Sequence, residues 1–224
     1  MPTAGVNGQT IYDEVHGEGE PLLCVMGLAA DTLAWTLQVP AFSERHRTII
    51  FDNRDVGQSS QATGSYEVSD MAEDALGLAD ALELDSFHLL GVSMGGAIAQ
   101  EMALAAPERG RTLTLAVTWA SGGGWNPHPQ PPEAFARQLD ASSRHSTGER
   151  LGVLTTPTHV IGAEWDVLVP VWKSREIAGL IPGSKLTVLE ACPHGPQRGA
   201  RRGVQRRRAR LHRRAGGRRS RLSS

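Results

Sequence analysis

The chain has 224 residues, 40% apolar and 21% charged, enough for one domain with a full hydrophobic core. Its formal charge of −1 averages two unlike pieces: residues 1–197 hold 11 Lys and Arg against 24 Asp and Glu, while residues 198–224 hold twelve Arg and no acid. No window approaches the roughly 20 apolar residues of a membrane span, Met1–Thr10 lacks a signal-like apolar stretch, and Cys24 and Cys192 match no metal spacing, so the chain reads as a cytoplasmic protein with two free thiols.

Ile11–His16 alternates like an antiparallel strand, and Gly17–Glu20 turns it. Pro21–Met26 is a short continuous apolar run, the signature of a strand buried on both faces, and Gly27 ends it. Trp35–His46 looks helical, Arg47–Phe51 is the next buried strand, and a polar loop runs through Tyr66. Ser69 suits an N-cap with Asp70 and Glu73 in the first turn, and Met71, Ala75, Leu78 and Leu82 share one helix face. Phe87–Val92 is a strand, Gly95–Ala105 a small-residue helix, and Leu113–Thr118 a strand. Gly122–Pro132 is a glycine- and proline-rich loop, and Glu133–Leu139 a single helix. Thr158–Ala163, Val171–Leu180 and Lys185–Leu189 complete a strand–helix–strand unit. Buried strands alternating with helices imply an α/β fold with a doubly wound, mostly parallel sheet.

The chemistry concentrates at Leu89-Leu90-Gly91-Val92-Ser93-Met94-Gly95-Gly96. Gly-x-Ser-x-Gly between a strand and a helix is the layout of a nucleophile elbow, in which a sharp turn lifts the serine hydroxyl clear of the sheet. Three specified residues alone are weak evidence. Their weight comes from Gly27, Asp166 and His194, which, like Ser93, follow the carboxyl ends of predicted strands, where sites in such sheets lie.

These features resemble the α/β-hydrolase family, in particular its bacterial esterases, enol-lactonases and cofactor-free haloperoxidase-like members. The resemblance spans about Gln9 to Gln197 and rests on Val25-Met26-Gly27-Leu28 with Trp35, Phe51-Asp52-Asn53-Arg54 with Gly57 and Ser59, Gly91–Gly96, Asp166–Pro170 and Cys192-Pro193-His194. It implies a carboxylic ester hydrolase acting on esters or lactones through an acyl-enzyme. Ser93 would be the nucleophile, His194 the general base and acid, and Asp166 the residue that orients the imidazole. The backbone amides of Leu28 and Met94 would form the oxyanion hole. Met26 and Trp35 are candidates to line the acyl pocket, with the core as the competing place for either. Glu164 is the alternative acid, and Arg54 reads as a brace between loops. Perhydrolysis and carbon–carbon bond hydrolysis use the same triad, whereas dehalogenases and epoxide hydrolases carry an aspartate where Ser93 stands. No cofactor or metal is implied. The partner is a small-molecule substrate, with no specific nucleic acid and no membrane, and a homo-oligomer stays open.

Several residues depart from the family's pattern. Met26 replaces a usual histidine, Ala163 stands where a glycine is common, and Asp55 replaces a glycine, which strains its loop if φ is positive there. The region 122–157 offers only a reduced cap in place of a larger helical insertion, so an open, wet pocket is expected. After Gln197 the Arg-rich tail replaces an amphipathic helix. It reads as a disordered segment, its composition that of a GC-rich gene out of frame, and it lacks the interleaved aromatics of a nucleic-acid arm. Residues 1–197 thus form the hydrolase domain and 198–224 the tail. The rival reading is a catalytically impaired or silent hydrolase-like protein that has lost its cap and last helix.

Overall fold

Apolar runs become interior strands when both faces of the sheet are covered, and polar alternation becomes an edge hairpin. The computed structural model describes residues 2–121 and 131–194. The strands are β1 (Thr3–Val6), β2 (Gln9–His16), β3 (Glu20–Val25), β4 (His46–Phe51), β5 (Phe87–Val92), β6 (Gly110–Ala116), β7 (Thr158–Ala163) and β8 (Lys185–Leu189). The helices are α1 (Val39–Phe42), α2 (Val68–Ala81), α3 (Met94–Ala105), α4 (Pro132–Arg144) and α5 (Val171–Leu180). One sheet runs in the order β1-β2-β4-β3-β5-β6-β7-β8. Strands β3 to β8 are parallel, and β1 and β2 add an antiparallel margin. The fold is therefore the mostly parallel α/β sheet expected from the sequence.

Pleating splits the core in two. Leu23, Val25, Ile49, Phe51 and Leu89 point to one face, where they pack with Met71 and Leu78 of α2, Ile98 and Met102 of α3, and Ile177 of α5. Cys24, Ile50, Val92 and Ala163 point to the other, where they meet Met26, Trp35 and Cys192. Burying one such aliphatic side chain contributes about 1.5–3 kcal/mol, so the helix-covered face carries most of the stabilisation. The register pairs Val25 with Gly91, Val92 with Ala116 and Ala163 with Leu189, which brings the carboxyl ends of β3, β5, β6, β7 and β8 to one rim.

Three local expectations are corrected. Trp35–His46 is not one helix: a 3-10 turn spans Thr32–Trp35, α1 covers only Val39–Phe42, and His46 already belongs to β4. Pro40 has no N–H to donate, so a helix cannot run through from Trp35. Ser69 lies inside α2, and the helix is capped two residues earlier, where the Glu67 N–H donates to Asp70 Oδ2 at 2.6 Å. The helix expected over Glu133–Leu139 continues to Arg144, with Ala134, Gln138, Ala141 and Ser142 on its buried face.

Of the region expected to form a reduced cap, the described residues 131–157 hold α4 and a 3-10 turn at Gly148–Val153. The Arg-rich tail, residues 195–197 and most of the Gly122–Pro132 loop lie outside the described residues. No helix among the described residues is long and apolar enough to cross a membrane. Cys24 and Cys192 are unpaired and buried, as the sequence indicated.

Candidate active site

The elbow forms because β5 and α3 are joined by one residue. Ser93 has φ 57° and ψ −124°, a conformation that costs a non-glycine residue about 1–3 kcal/mol and persists only where the surroundings impose it. The surroundings do so. The Ser93 N–H donates to Ala116 O at 3.0 Å, and the Gly96 N–H donates to Ser93 O at 2.9 Å. A Cβ at Gly95 would stand 2.1 Å from Val25 O, and one at Gly91 would stand 2.3 Å from Gly95 O, so neither position admits a side chain. Met94 opens α3, and its N–H has no carbonyl within the helix to receive it. The positive end of the helix dipole lies at the serine.

His194 follows β8 and meets Ser93 across 101 sequence positions: His194 Nε2 lies 3.1 Å from Ser93 Oγ. On its other side, His194 Nδ1 lies 2.6 Å from Asp166 Oδ2. A proton on Nδ1, shared with the carboxylate, leaves the Nε2 lone pair facing the hydroxyl. Asp166 is buried, and its second oxygen accepts the Leu168 and Val169 N–H groups at 2.9 and 2.8 Å. The carboxylate is thus fixed by its own loop. Glu164, the alternative acid, instead accepts the Ala191 N–H at 2.9 Å and so holds the loop that carries the histidine. Burial first, then the Asp166 charge, pushes the Cys192 thiol up from its ordinary value.

Facing the serine is the turn after β3. A Cβ at Gly27 would come within 2.8 Å of Ser93 Cβ and 3.3 Å of Ser93 Oγ, so a glycine lets this backbone approach the Ser93 side chain. The Ala30 N–H donates to Gly27 O at 3.3 Å, and Ala29 has φ 59°. A left-handed third residue marks a type II turn, which ordinarily calls for glycine there. Leu28, the expected oxyanion donor, is the second residue of that turn.

Asp52, Asn53 and Arg54 are structural. The Asp52 carboxylate accepts the Thr32 and Gln58 N–H groups at 2.7 and 2.8 Å, and Asn53 Nδ2 donates to Met26 O at 3.0 Å. Arg54 makes a two-pronged ion pair with Asp74, at 2.6 and 2.8 Å, and stacks over Tyr66. Asp55 does have a positive φ, 68°. It is buried, accepts from Tyr66 Oη at 2.9 Å and Ala62 N at 3.0 Å, and pairs with Arg137 of α4. The residue that replaces glycine thus ties the loop to the cap helix.

Met26 and Trp35, the candidates for the acyl pocket, are 3% and 1% exposed and pack among Cys24, Ile50 and Val92. The structure places both in the core. A cavity of about 250 Å³ lies beside the turn, lined by Ala29, Asp31, Asp55, Gly57 and Pro131 among others. Trp165 and Val167, on either side of Asp166, are exposed. One residue at the site escaped the sequence reading altogether. Gln138 of α4 is fully buried, accepts the Ala29 N–H on Oε1 at 3.0 Å and donates from Nε2 to Arg54 O at 3.0 Å. Sequence offers no signal for it, since a glutamine on an amphipathic helix ordinarily faces water.

The sequence profile of the alpha/beta hydrolase fold family matches residues 20–142. The "Putative carbamate hydrolase RutD" of Azorhizobium caulinodans is 36% identical over 242 residues, covering 87% of this chain and 91% of the relative. That span exceeds the whole 224-residue chain, so the relative carries several dozen positions with no counterpart here. The protein of the same name from Variovorax paradoxus is 30% identical, covering 83% of this chain and 88% of its own length. Among solved structures, a hydrolase from Pseudomonas aeruginosa superposes with a TM-score of 0.81 at 24% identity, covering 87% of this chain and 91% of its own. The enol-lactonase from Burkholderia xenovorans gives a TM-score of 0.80 at 22% identity, covering 84% and 91%. By sequence profile, by close relatives and by fold, this chain belongs to the α/β-hydrolase family.

Proposed function

We propose that the protein is a serine hydrolase that cleaves small carboxylic esters or lactones through an acyl-enzyme on Ser93. One observation carries this reading: the unbroken line of contacts from Asp166 Oδ2 to His194 Nδ1, and from His194 Nε2 to Ser93 Oγ. His194 takes the Ser93 proton as the oxygen attacks the carbonyl carbon, and the imidazolium is stabilised by Asp166. The tetrahedral oxyanion is received by the amides of Met94 and Leu28, each worth about 3–4 kcal/mol of barrier in comparable hydrolases. His194 then gives the proton to the leaving alcohol, and water repeats the sequence to release the acid. The relatives named as carbamate hydrolases extend the substrate class to carbamates, which present the same acyl carbon. The reading needs no cofactor or metal, and a small-molecule substrate is its partner. Two unpaired buried thiols support a cytoplasmic setting.

The test is turnover of short-chain 4-nitrophenyl esters, simple lactones and an aryl carbamate by wild type, Ser93→Ala and His194→Ala. Each variant is expected to lose about 10⁴-fold or more in kcat, with the two losses alike because the residues act as a unit. Turnover that persists in Ser93→Ala overturns the mechanism. A folded wild-type chain inert towards all three substrates, and unreactive with diethyl 4-nitrophenyl phosphate, establishes the silent reading instead.

A further inference from the structure

The turn that presents the expected oxyanion donor does not hold itself. Its third residue, Ala29, is left-handed at φ 59° without being glycine, and its own closing hydrogen bond, from Ala30 N to Gly27 O, is long at 3.3 Å. The alternative turn, type I, differs by a flip of the central peptide between Leu28 and Ala29 and carries no positive φ. That peptide's N–H, on Ala29, donates to Gln138 Oε1 at 3.0 Å. Gln138 is fully buried, and its amide is pinned from the other side by Arg54 O at 3.0 Å. Helix α4 is fastened at the same level by the ion pair of the adjacent Arg137 with Asp55. A side chain from the cap region therefore fixes one orientation of the peptide that follows Leu28.

We propose that Gln138 is the positioning residue of the oxyanion site: by accepting the Ala29 N–H it clamps the peptide immediately after Leu28, and so anchors the Gly27–Ala30 turn whose preceding peptide carries the Leu28 amide beside Ser93. The inference rests on the serine-hydrolase reading above. It also gives the reduced cap a task besides covering the pocket. Gln138 reaches the reacting oxygen only through the turn, so its loss affects the step in which negative charge develops, with little effect on ground-state binding.

The experiment compares wild type with Gln138→Met, which keeps the length and removes both hydrogen bonds, and Gln138→Glu, which keeps the acceptor for Ala29 but not the donor to Arg54. Sites are counted by the 4-nitrophenol released when inactivation by excess diethyl 4-nitrophenyl phosphate is taken to completion, so that misfolded protein does not enter kcat. Gln138→Met is expected to lower kcat by about 10- to 100-fold, with KM changed by less than about threefold. The rate of inactivation by diethyl 4-nitrophenyl phosphate should fall in parallel, because its phosphoryl oxygen uses the same amides. Gln138→Glu should fall between the two. A Gln138→Met enzyme with unchanged kcat per site, or one whose defect lies in KM alone, overturns the proposal even if its melting temperature drops. If Ser93→Ala retains turnover, the hydrolase reading fails and this inference falls with it. If Ser93→Ala is inert while Gln138→Met matches wild type, only this inference fails.

Discussion

Ser93 and His194 stand 3.1 Å apart, yet the molecule holds them by different means. Ser93 leaves β5, which lies between β3 and β6 in the middle of the sheet, and its backbone is fixed by contacts that leave no room for a Cβ at Gly91 or Gly95. His194 follows β8, the edge strand, where Lys185, Leu186 and Thr187 are exposed. Its loop is held by single hydrogen bonds, Ala191 N to Glu164 Oε2 and Trp165 N to Cys192 O, both at 2.9 Å. The place of Ser93 is a property of the core, and the place of His194 is a property of a loop. Stability and activity should therefore move together at the first and separate at the second.

The sharpest way to break this contrast is Gly95→Ala. Its Cβ meets a backbone carbonyl at 2.1 Å, so the variant should lose about 3 kcal/mol or more in urea unfolding, together with its activity. A change below about 0.5 kcal/mol would mean that the elbow has slack. Next comes Asp55→Gly, which relieves a positive φ worth about 1 kcal/mol but strands Arg137, Tyr66 Oη and the Ala62 N–H. A net loss of about 2 kcal/mol is expected. A rise in the unfolding midpoint would show that backbone strain outweighs the ion pair.

On the histidine side, Glu164→Ala removes one exposed hydrogen bond and should cost about 1 kcal/mol or less. Its kcat should nevertheless fall about threefold to tenfold as the loop loosens, and an equal loss in both quantities would erase the contrast. The smallest effect at neutral pH belongs to His145, whose pKa is held at about 4 against an ordinary 6.5 by burial, with Glu101 acting in the opposite direction. The unfolded chain takes up this proton more readily than the folded one. The contribution is therefore complete above about pH 6.5 and lost as pH falls towards 4. Melting temperatures across that window should decline, and they should decline less in His145→Gln.

The sequence discloses the parts of the molecule that are dictated locally. Interior strands are legible because Leu22–Val25 and Ile49–Phe51 are apolar without a break, and the elbow is legible because Gly91 and Gly95 bracket Ser93. Strand β1 is invisible, since Thr3-Ala4-Gly5-Val6 is short and becomes a strand only by pairing with β2. The break near Pro40 was available from proline chemistry, whereas the earlier start of α2 depends on a hydrogen bond between neighbours that no pattern displays. Asp55 is an instructive middle case. Its backbone conformation could be anticipated from the glycine it replaces, but its partner Arg137 lies 82 residues away and is found only in three dimensions. Gln138, Met26 and Trp35 belong to the same class, in which burial is decided by tertiary packing.

The order of assembly follows from how far apart along the chain the reacting groups lie. Asp166 and His194 are separated by 28 positions, but His194 and Ser93 by 101, with β6, β7 and β8 laid down in between. Closing so long a loop is slow, and parallel pairing gives nothing back until the crossovers are complete. During refolding, helical circular dichroism should recover ahead of esterase turnover, and the lag should time the docking of the final strand. Closure of the Asp166–His194–Ser93 line is therefore expected late in folding, since it requires the whole sheet at once.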